Sequence, residues 1–529
     1  MNLRIKNVIM LAVGLFALWL SILCGGNQAY TPDSADYIDQ ARSFTSGNGF
    51  QTRLHDLDEK FELWAPDKLF PPGYPIIIAI GTAVTGVPAE VVAPWVSRIA
   101  LLILPLTIFI SFRQVIGGRS AAWLGIITGV SPGVLLWGQF ALSDVLSLTL
   151  VVASFGFTLS AASPERRESA GLFALAGGVF AGFSYLIRNA NLALLAATSL
   201  SMFVWLVTSK IVERQRIWRF IFPWTVGASI VVFPWMIRNL IVFGKLQPYE
   251  MPSSTIGAWE NFRSFIAAIT SEISGSSYLG TLAGWSIPGL IVLLILLVII
   301  IGFILKRWSS LAVIQRRALV FSCIYVLAGS SIVIAARTKY QWGEAISNRH
   351  TLQYAVFLLL PLAILLRNIF VDKVLLFAVS CVAVLTLVTL RGVEVESELA
   401  VQRISSSRVL DASALTQRIE GFSHEKMTPC ARNEKSLVIS NYAYLYRAIC
   451  DVDSINPGAD DLRGHSIVDF AKLVRIKIAD RPLIIALHPD RGVSSSELPL
   501  KEVQLKTLLA QGWAVQDNSS GMLLMSYGQ

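Results

Sequence analysis

The stretch "TPDSADYIDQARSF" (residues 31–44) places three carboxylates, Asp33, Asp36 and Asp39, within seven residues, directly after the apolar run "VIMLAVGLFALWLSILC" (8–24). A solvated loop would look like this. So would a working carboxylate held at a membrane face. Within the stretch, "PDSADYIDQA" reads as a short helix with Asp33 as its N-cap and Asp36 at the third position of a capping box. Tyr37 and Ala41, four and eight residues on, would share a face with Asp33.

The chain around it is membrane-like. Of 529 residues, 54% are hydrophobic and 15% charged, and the mean hydropathy is +0.59. The apolar residues fall in long blocks, as in a polytopic membrane protein. Blocks of spanning length number about eleven. They cover 7–25, 91–112, 120–137, 143–162, 170–187, 190–209, 219–237, 285–305, 317–336, 351–367 and 373–390. The first reads as an uncleaved helix rather than a signal peptide. "YPIIIAIGTAV" (74–84) is too short to span and reads as re-entrant or interfacial.

The net charge of +9 does not indicate nucleic-acid binding, because the basic residues sit in short loops between blocks. "RQVIGGR", "SPERRE", "KIVERQRIWR", "KRWSSLAVIQRR" and "RNIFVDK" all fall on one side. The loops on the other side are longer and richer in Asp, Glu, Trp and Tyr. By the positive-inside rule the N-terminus is cytoplasmic and the C-terminal region extracytoplasmic. The chain thus divides into a transmembrane domain (1–391, first outer loop about 26–90) and a small α/β domain (392–529). In the latter, "KSLVIS" and "RPLIIALH" are strand-like. "SRVLDASALTQRIEGF" and "LKTLLAQGW" are helical, and "AVQDNSSGMLLMSY" is a closing hairpin. Cys24, Cys323 and Cys381 lie in apolar blocks as core residues, whereas Cys430 and Cys450 are candidates for a disulfide in an oxidising compartment.

The candidate chemistry lies on the outer face. Arg188 in "SYLIRNAN", Arg238 in "FPWMIRNL", Arg337 in "AARTKY" and Arg349 in "ISNRHTLQY" all run against the charge bias. Guanidiniums at helix ends near the apolar region are costly unless paired or hydrated. As a set they suit an anion, since the planar fork makes bidentate contacts with phosphate. Asp144 in "FALSDVLSLTL" stands at the outer start of a span, where a helix dipole favours a carboxylate. Asp33 and Asp144 together offer oxygen ligands to a divalent metal, though two acids are a thin site. "RLHDLDEKFELW" (53–64) reads as a solvated loop, and "ENFRSFIAAITSEI" (260–273) as an amphipathic helix on the outer surface.

The order of these motifs resembles a family. D-S-x-x-Y-x-x-x-A, then "SGNGF", "PPGYPIIIAIG", "SP…LSD", "GFSYLIRNANL", "PWMIRN" and "NRHTLQYAVFLLLPLA" look like the GT-C membrane glycosyltransferases. The likeness is to the bacterial branch with the lipid A aminoarabinose transferases and the protein O-mannosyltransferase-like proteins, and covers roughly residues 1–390. It implies transfer of a sugar from a polyprenyl-phosphate donor to an acceptor hydroxyl, with inversion. It implies Asp33 as general base and Asp144 as a second acid orienting acceptor, base or metal. Tyr37 and Asp36 would support them. Arg349, His350, Arg238 and Arg188 would surround the donor phosphate. The partners would be the prenyl-linked sugar, a glycolipid, polysaccharide or protein acceptor, and the bilayer, with the inner membrane as location. His350 stands where the family often has Tyr, and Asn189 where many members have Pro. The alternative is a transporter or flippase of a lipid-linked sugar, which would use the same arginines without a base.

Overall fold

The computed structural model describes residues 30–53, 64–163, 168–209, 211–249, 253–274, 294, 298, 301–302, 306–340, 346–369, 437–440, 443–455, 467–477, 482–487, 502–517 and 523–527. The blocks 7–25 and 373–390, most of 285–305, the helix expected at 407–422, and Cys24, Cys381 and Cys430 lie outside these residues.

The first described element is α1 (Pro32–Thr45), followed by a two-stranded ribbon of β1 (Gln51–Arg53) and β2 (Trp64–Pro66). A short apolar helix follows, α2 (Gly73–Thr85), closed by Gly86 in the left-handed region. At 13 residues it cannot cross a bilayer, and its second half exposes Ile80 and Val84. Gly73 lets its first turn press onto the chain at Leu186. A Cβ there would stand 2.6 Å from the Leu186 carbonyl oxygen.

The bundle begins with α3 (Ala89–Ile116). The block expected to span over 120–137 is broken into α4 (Gly118–Gly129) and α5 (Pro132–Trp137). Pro132 disfavours helical dihedrals at the preceding residue, and Ser131 is extended. The bundle continues with α6 (Asp144–Ala162), α7 (Ala170–Ile187), α8 (Leu192–Thr208) and α9 (Ile211–Phe243). Further described helices are α10 (Ala258–Ser274), α11 (Val313–Lys339) and α12 (Asn348–Ile369). Six of the described helices are long and apolar enough to cross a membrane, so the protein is multi-pass.

Without a hydrophobic force between helices in lipid, close approach depends on small residues. Gly178 supplies it between α7 and α9, where a Cβ would stand 1.9 Å from the Trp224 carbonyl oxygen. Aromatic rings fill the bundle centre: Phe155 meets Phe321 at 4.6 Å, and Tyr325 meets Phe357 at 4.8 Å between centroids. Cys323, expected in the core, is exposed on the outside of α11. The helix expected to lie on the surface, α10, packs against α11 and α12 and buries Phe265, Ala267, Ala268 and Ile269, with Trp259 and Arg263 among its exposed residues.

The C-terminal region forms a five-stranded mixed sheet. Its elements are β3 (Leu437–Ile439), α13 (Ala443–Cys450), β4 (Asp453–Ile455), α14 (Ile467–Lys477), β5 (Leu483–Leu487), α15 (Glu502–Ala510), β6 (Trp513–Asp517) and β7 (Leu523–Tyr527). The order is β4-β3-β5-β7-β6, with β3 parallel to both neighbours and β7 antiparallel to both of its own. Successive side chains of a strand face opposite ways. Leu437, Ile439, Leu483, Ile485 and Leu487 pack with α14 and α15, whereas Val438, Ile484 and Ala486 join a cluster containing Ala35, Tyr37, Ile38 and Ala41 of α1. Burial on both faces explains why these strands read as continuous apolar runs. It also seats the sheet on the element that carries Asp33.

Candidate active site

The first turn of α1 is capped by Thr31, not by Asp33. The Thr31 hydroxyl accepts from the Ser34 amide at 3.3 Å, and the Ser34 hydroxyl accepts from the Thr31 amide at 2.9 Å. Pro32 follows the cap, where a missing N–H is harmless. Capping therefore does not consume the Asp33 carboxylate. Tyr37, one turn on, is fully buried between Phe70 and Tyr74, each 5.0 Å away edge-to-face. Burial, then the Asp33 charge, pushes its phenol up to about 12, so it stays neutral. Its hydroxyl shares a 3.0 Å hydrogen bond with Ser143, the residue before Asp144. Tyr37 thus ties α1 to the start of α6 and brings the two acids to one place.

Arg349 joins them. Its guanidinium pairs with Asp33, and its Nε donates to the Asp144 carboxylate at 3.1 Å. Arg188, at the end of α7, pairs with the same Asp144. Burial, then the neighbouring Arg349 charge, lowers Arg188 to about 10, which leaves it charged at neutral pH. The two acids differ in access: the Asp33 side chain is 28% exposed and that of Asp144 only 1%. Asp144 is the buried counter-ion that holds two guanidiniums in place, and Asp33 is the carboxylate that a ligand can reach. His350 lies beside them, its ring against the Arg337 guanidinium and its Nδ1 accepting from the Ser347 amide at 3.2 Å.

Two of the residues expected here lie elsewhere. Arg238 is stacked between Trp235 and Phe243, 4.7 and 5.0 Å from their centroids. It donates to the carbonyls of Phe50 and Asp67 at 3.3 and 3.4 Å, bracing the first loop. Asp36 turns away from Asp33 toward Thr52 and Arg447. Arg53, expected in a solvated loop, is buried, with Trp64 4.7 Å from its guanidinium; His55, Asp56, Asp58 and Glu59 lie outside the described residues. Cys450 is disulfide-bonded; Cys430, its expected partner, lies outside the described residues.

Sequence reasoning missed Glu272, the support beneath Arg349. Glu272 of α10 accepts from the Ser131 hydroxyl at 2.6 Å and from the Gly133 amide at 3.2 Å, satisfying the helix start left by the break between α4 and α5. It also bonds the Asn348 side chain. Asn348 in turn accepts from the Trp137 indole at 3.0 Å, and that indole lies under the Arg349 guanidinium at 5.8 Å. A lone acid in the apolar run "FIAAITSEI" was the available signal.

Burial raises Glu272 from 4.5 to about 7. Asp67 is likewise raised to about 7, by burial and then by Asp36. From pH 3.8 for Asp67 and 4.5 for Glu272, up to about 7, the folded state keeps protons that the unfolded state has lost. These groups therefore make stability fall as pH rises through that window, with the full penalty above it. Glu272→Gln preserves the hydrogen bonds, since the Ser131 hydroxyl can accept from the new amide. The variant should retain its fold and lose roughly half of the fall in melting temperature between pH 5 and 8. An unchanged slope in a detergent melting series would remove Glu272 from that dependence.

Among the described residues, Asp33 and Asp144 do not fit a divalent metal. Guanidiniums already neutralise both Asp33 and Asp144, and among the described residues no three His, Cys, Asp or Glu side chains converge.

Residues 70–237 match the family model of the dolichyl-phosphate-mannose-protein mannosyltransferases. No curated protein sequence matches the chain. Among solved structures, the chain is similar to ArnT from Cupriavidus metallidurans bound to undecaprenyl phosphate, with 14% identity, a TM-score of 0.60 and full coverage of both chains. The apo form of ArnT matches with a TM-score of 0.58 over 99% of this chain and 98% of that one, again at 14% identity. The oligosaccharyltransferase AglB from Archaeoglobus fulgidus, in complex with an inhibitory peptide and a dolichol-phosphate, matches at 13% identity and a TM-score of 0.51. That match covers 91% of this chain and 69% of AglB. The chain has the GT-C fold of membrane glycosyltransferases.

Proposed function

We infer that the protein is an integral-membrane glycosyltransferase that moves a sugar from a polyprenyl-phosphate donor to an acceptor hydroxyl at the outer face of the inner membrane. The observation that carries this reading is the meeting of one reachable carboxylate, Asp33, with two guanidiniums held by a buried one, Asp144. The N-terminus is then cytoplasmic and the C-terminal sheet extracytoplasmic, in line with the basic loops.

The reaction follows from the residue types. The donor phosphate competes with Asp33 for Arg349 and takes up its fork, with Arg188 and the Arg337–His350 pair alongside. That exchange frees the Asp33 carboxylate. The acceptor oxygen then attacks the anomeric carbon while the bond from that carbon to the phosphate oxygen breaks. The electron pair leaves with the prenyl phosphate, where the guanidiniums stabilise it. The acceptor proton passes to Asp33. A single displacement inverts the anomeric centre. Asp144 never needs to meet substrate; it fixes the arginines.

The test is release of polyprenyl phosphate by the purified protein in lipid nanodiscs, with a panel of prenyl-phosphate-linked sugars and native lipid extract as acceptor. Release with one sugar, matched by a glycosylated acceptor, is expected. Donor binding without release from any sugar would point to transport.

A further inference from the structure

The C-terminal sheet reaches the site through a buried ionic junction. Arg447, on α13, has a side chain only 1% exposed. Its guanidinium donates to Asp36 at 2.8 Å and to Asp39 at 2.6 Å, both on α1. The junction is reciprocal. Arg42 of α1 donates to the carbonyls of Arg447 and Ala448 at 2.7 and 3.0 Å, at the end of α13 where such carbonyls lack helical partners. Arg53 of β1 bridges the two sides, reaching Asp39 at 3.2 Å, Asp453 at 3.0 Å and the Asp451 carboxylate. Burial works against the Arg447 charge, but Asp39 and Asp36 outweigh it and hold its pKa above the ordinary value.

We propose that Arg447 is a positioning residue for sugar transfer: by clasping Asp36 and Asp39 it fixes the rotation of the helix that presents Asp33. The proposal rests on the reading of Asp33 as the base. Adhesion alone does not call for this arrangement. The apolar cluster that joins Val438, Leu445 and Tyr446 to residues of α1 already holds the two parts together, and buried ion pairs are poor glue because their desolvation offsets their attraction. What they add is direction, since a guanidinium fork accepts carboxylates only in fixed geometry. α1 is a single rod with Asp33 in its first turn and Asp36 and Asp39 one and two turns on. With side chains extending about 5 Å from a helix axis, a rotation of about 15° moves the Asp33 carboxylate by about 1 Å. A displacement of that size is enough to cost about 10²-fold in rate. The C-terminal sheet is in this view a fixture of the active site.

The test compares wild type with Arg447→Lys and with the charge-free triple Asp36→Asn, Asp39→Asn and Arg447→Met. The triple removes one acid from Arg53 but leaves it Asp451 and Asp453, so no buried charge is abandoned, and the melting temperature checks the fold. Three quantities are read on full-length protein in nanodiscs: affinity for prenyl phosphate, kcat for transfer, and amide exchange over residues 32–45. The triple should bind prenyl phosphate within about threefold of wild type, lose about tenfold or more in kcat, and exchange faster over 32–45 than wild type, with α6 and α12 unchanged. Arg447→Lys, which keeps the charge and loses the fork, should fall between. Wild-type kcat and exchange in the triple would overturn the proposal. So would equal losses of binding, melting temperature and kcat, which would mark a merely structural contact. If wild type itself transfers no sugar, the functional reading fails, and exchange over 32–45 alone decides whether the clasp orders the helix.

Discussion

Asp33→Asn should reduce transfer by about 10²-fold or more while leaving expression and melting temperature close to wild type and prenyl-phosphate affinity at or above it, since the competing carboxylate charge is gone. The carboxylate is the partly exposed acid of the cluster, so it can meet an acceptor hydroxyl. Thr31 and Ser34, not Asp33, close the first turn of α1, so the helix keeps its cap in the variant. The loss to stability is confined to one partly exposed ion pair and a first-turn charge, together about 1 kcal/mol. Arg349 retains Asp144 as partner, so the cation that would hold phosphate stays in place. The amide matches the carboxylate in size but cannot take the acceptor proton. The measurement is single-turnover sugar transfer beside a prenyl-phosphate binding isotherm. Near-normal transfer would remove Asp33 from proton transfer. A parallel collapse of binding would assign it to holding Arg349.

What the sequence made legible follows from the range of the forces involved. Helices such as α6 and α7 match the apolar blocks almost to the residue, because bilayer thickness imposes length and composition locally. Asp144, Arg188 and Arg349 were legible for a related reason: an ion at the edge of an apolar run is expensive and must be paired. The break at Ser131 was hidden because an average over a hydrophobic window does not register a helix start whose open amide is met by Glu272, 139 residues away. The N-cap expected at Asp33 falls two residues earlier, because Thr31 and Ser34 make the reciprocal box. Arg447 and Arg53 were illegible. Their partners are up to about 400 residues distant in the chain, and nothing in "YLYRAIC" separates a buried arginine from a surface one. Local rules therefore recovered the bundle and the charged rim of the site. The supports behind that rim, Glu272 and Arg447, required the folded chain.

Arg349→Ala should lower transfer by about 10²–10³-fold, the range for removing one preorganised donor to a developing charge, and should weaken prenyl-phosphate binding in the same variant. The effect differs in kind from that of Asp33→Asn, because Arg349 is shared. It bonds Asp33 and Asp144 together, with its guanidinium over the Trp137 ring. Its removal leaves Asp144 with Arg188 as a remaining counter-ion. The stability cost is therefore the loss of its charged hydrogen bonds, about 1.5–3 kcal/mol for the buried one to Asp144 and about 1 kcal/mol for the partly exposed one to Asp33, rather than that of an abandoned buried charge. Arg349→Lys should not restore transfer, since a point charge cannot span two carboxylates or two phosphate oxygens as the planar fork does. Asp33 would become free of its arginine in both variants, so a base that is merely unmasked is not enough: without a stabilised leaving phosphate, the bond to the anomeric carbon does not break. The decisive comparison is between donor and acceptor titrations. A loss confined to acceptor KM, with donor affinity intact, would move Arg349 out of the phosphate site and assign it to holding Asp33 in register with Asp144.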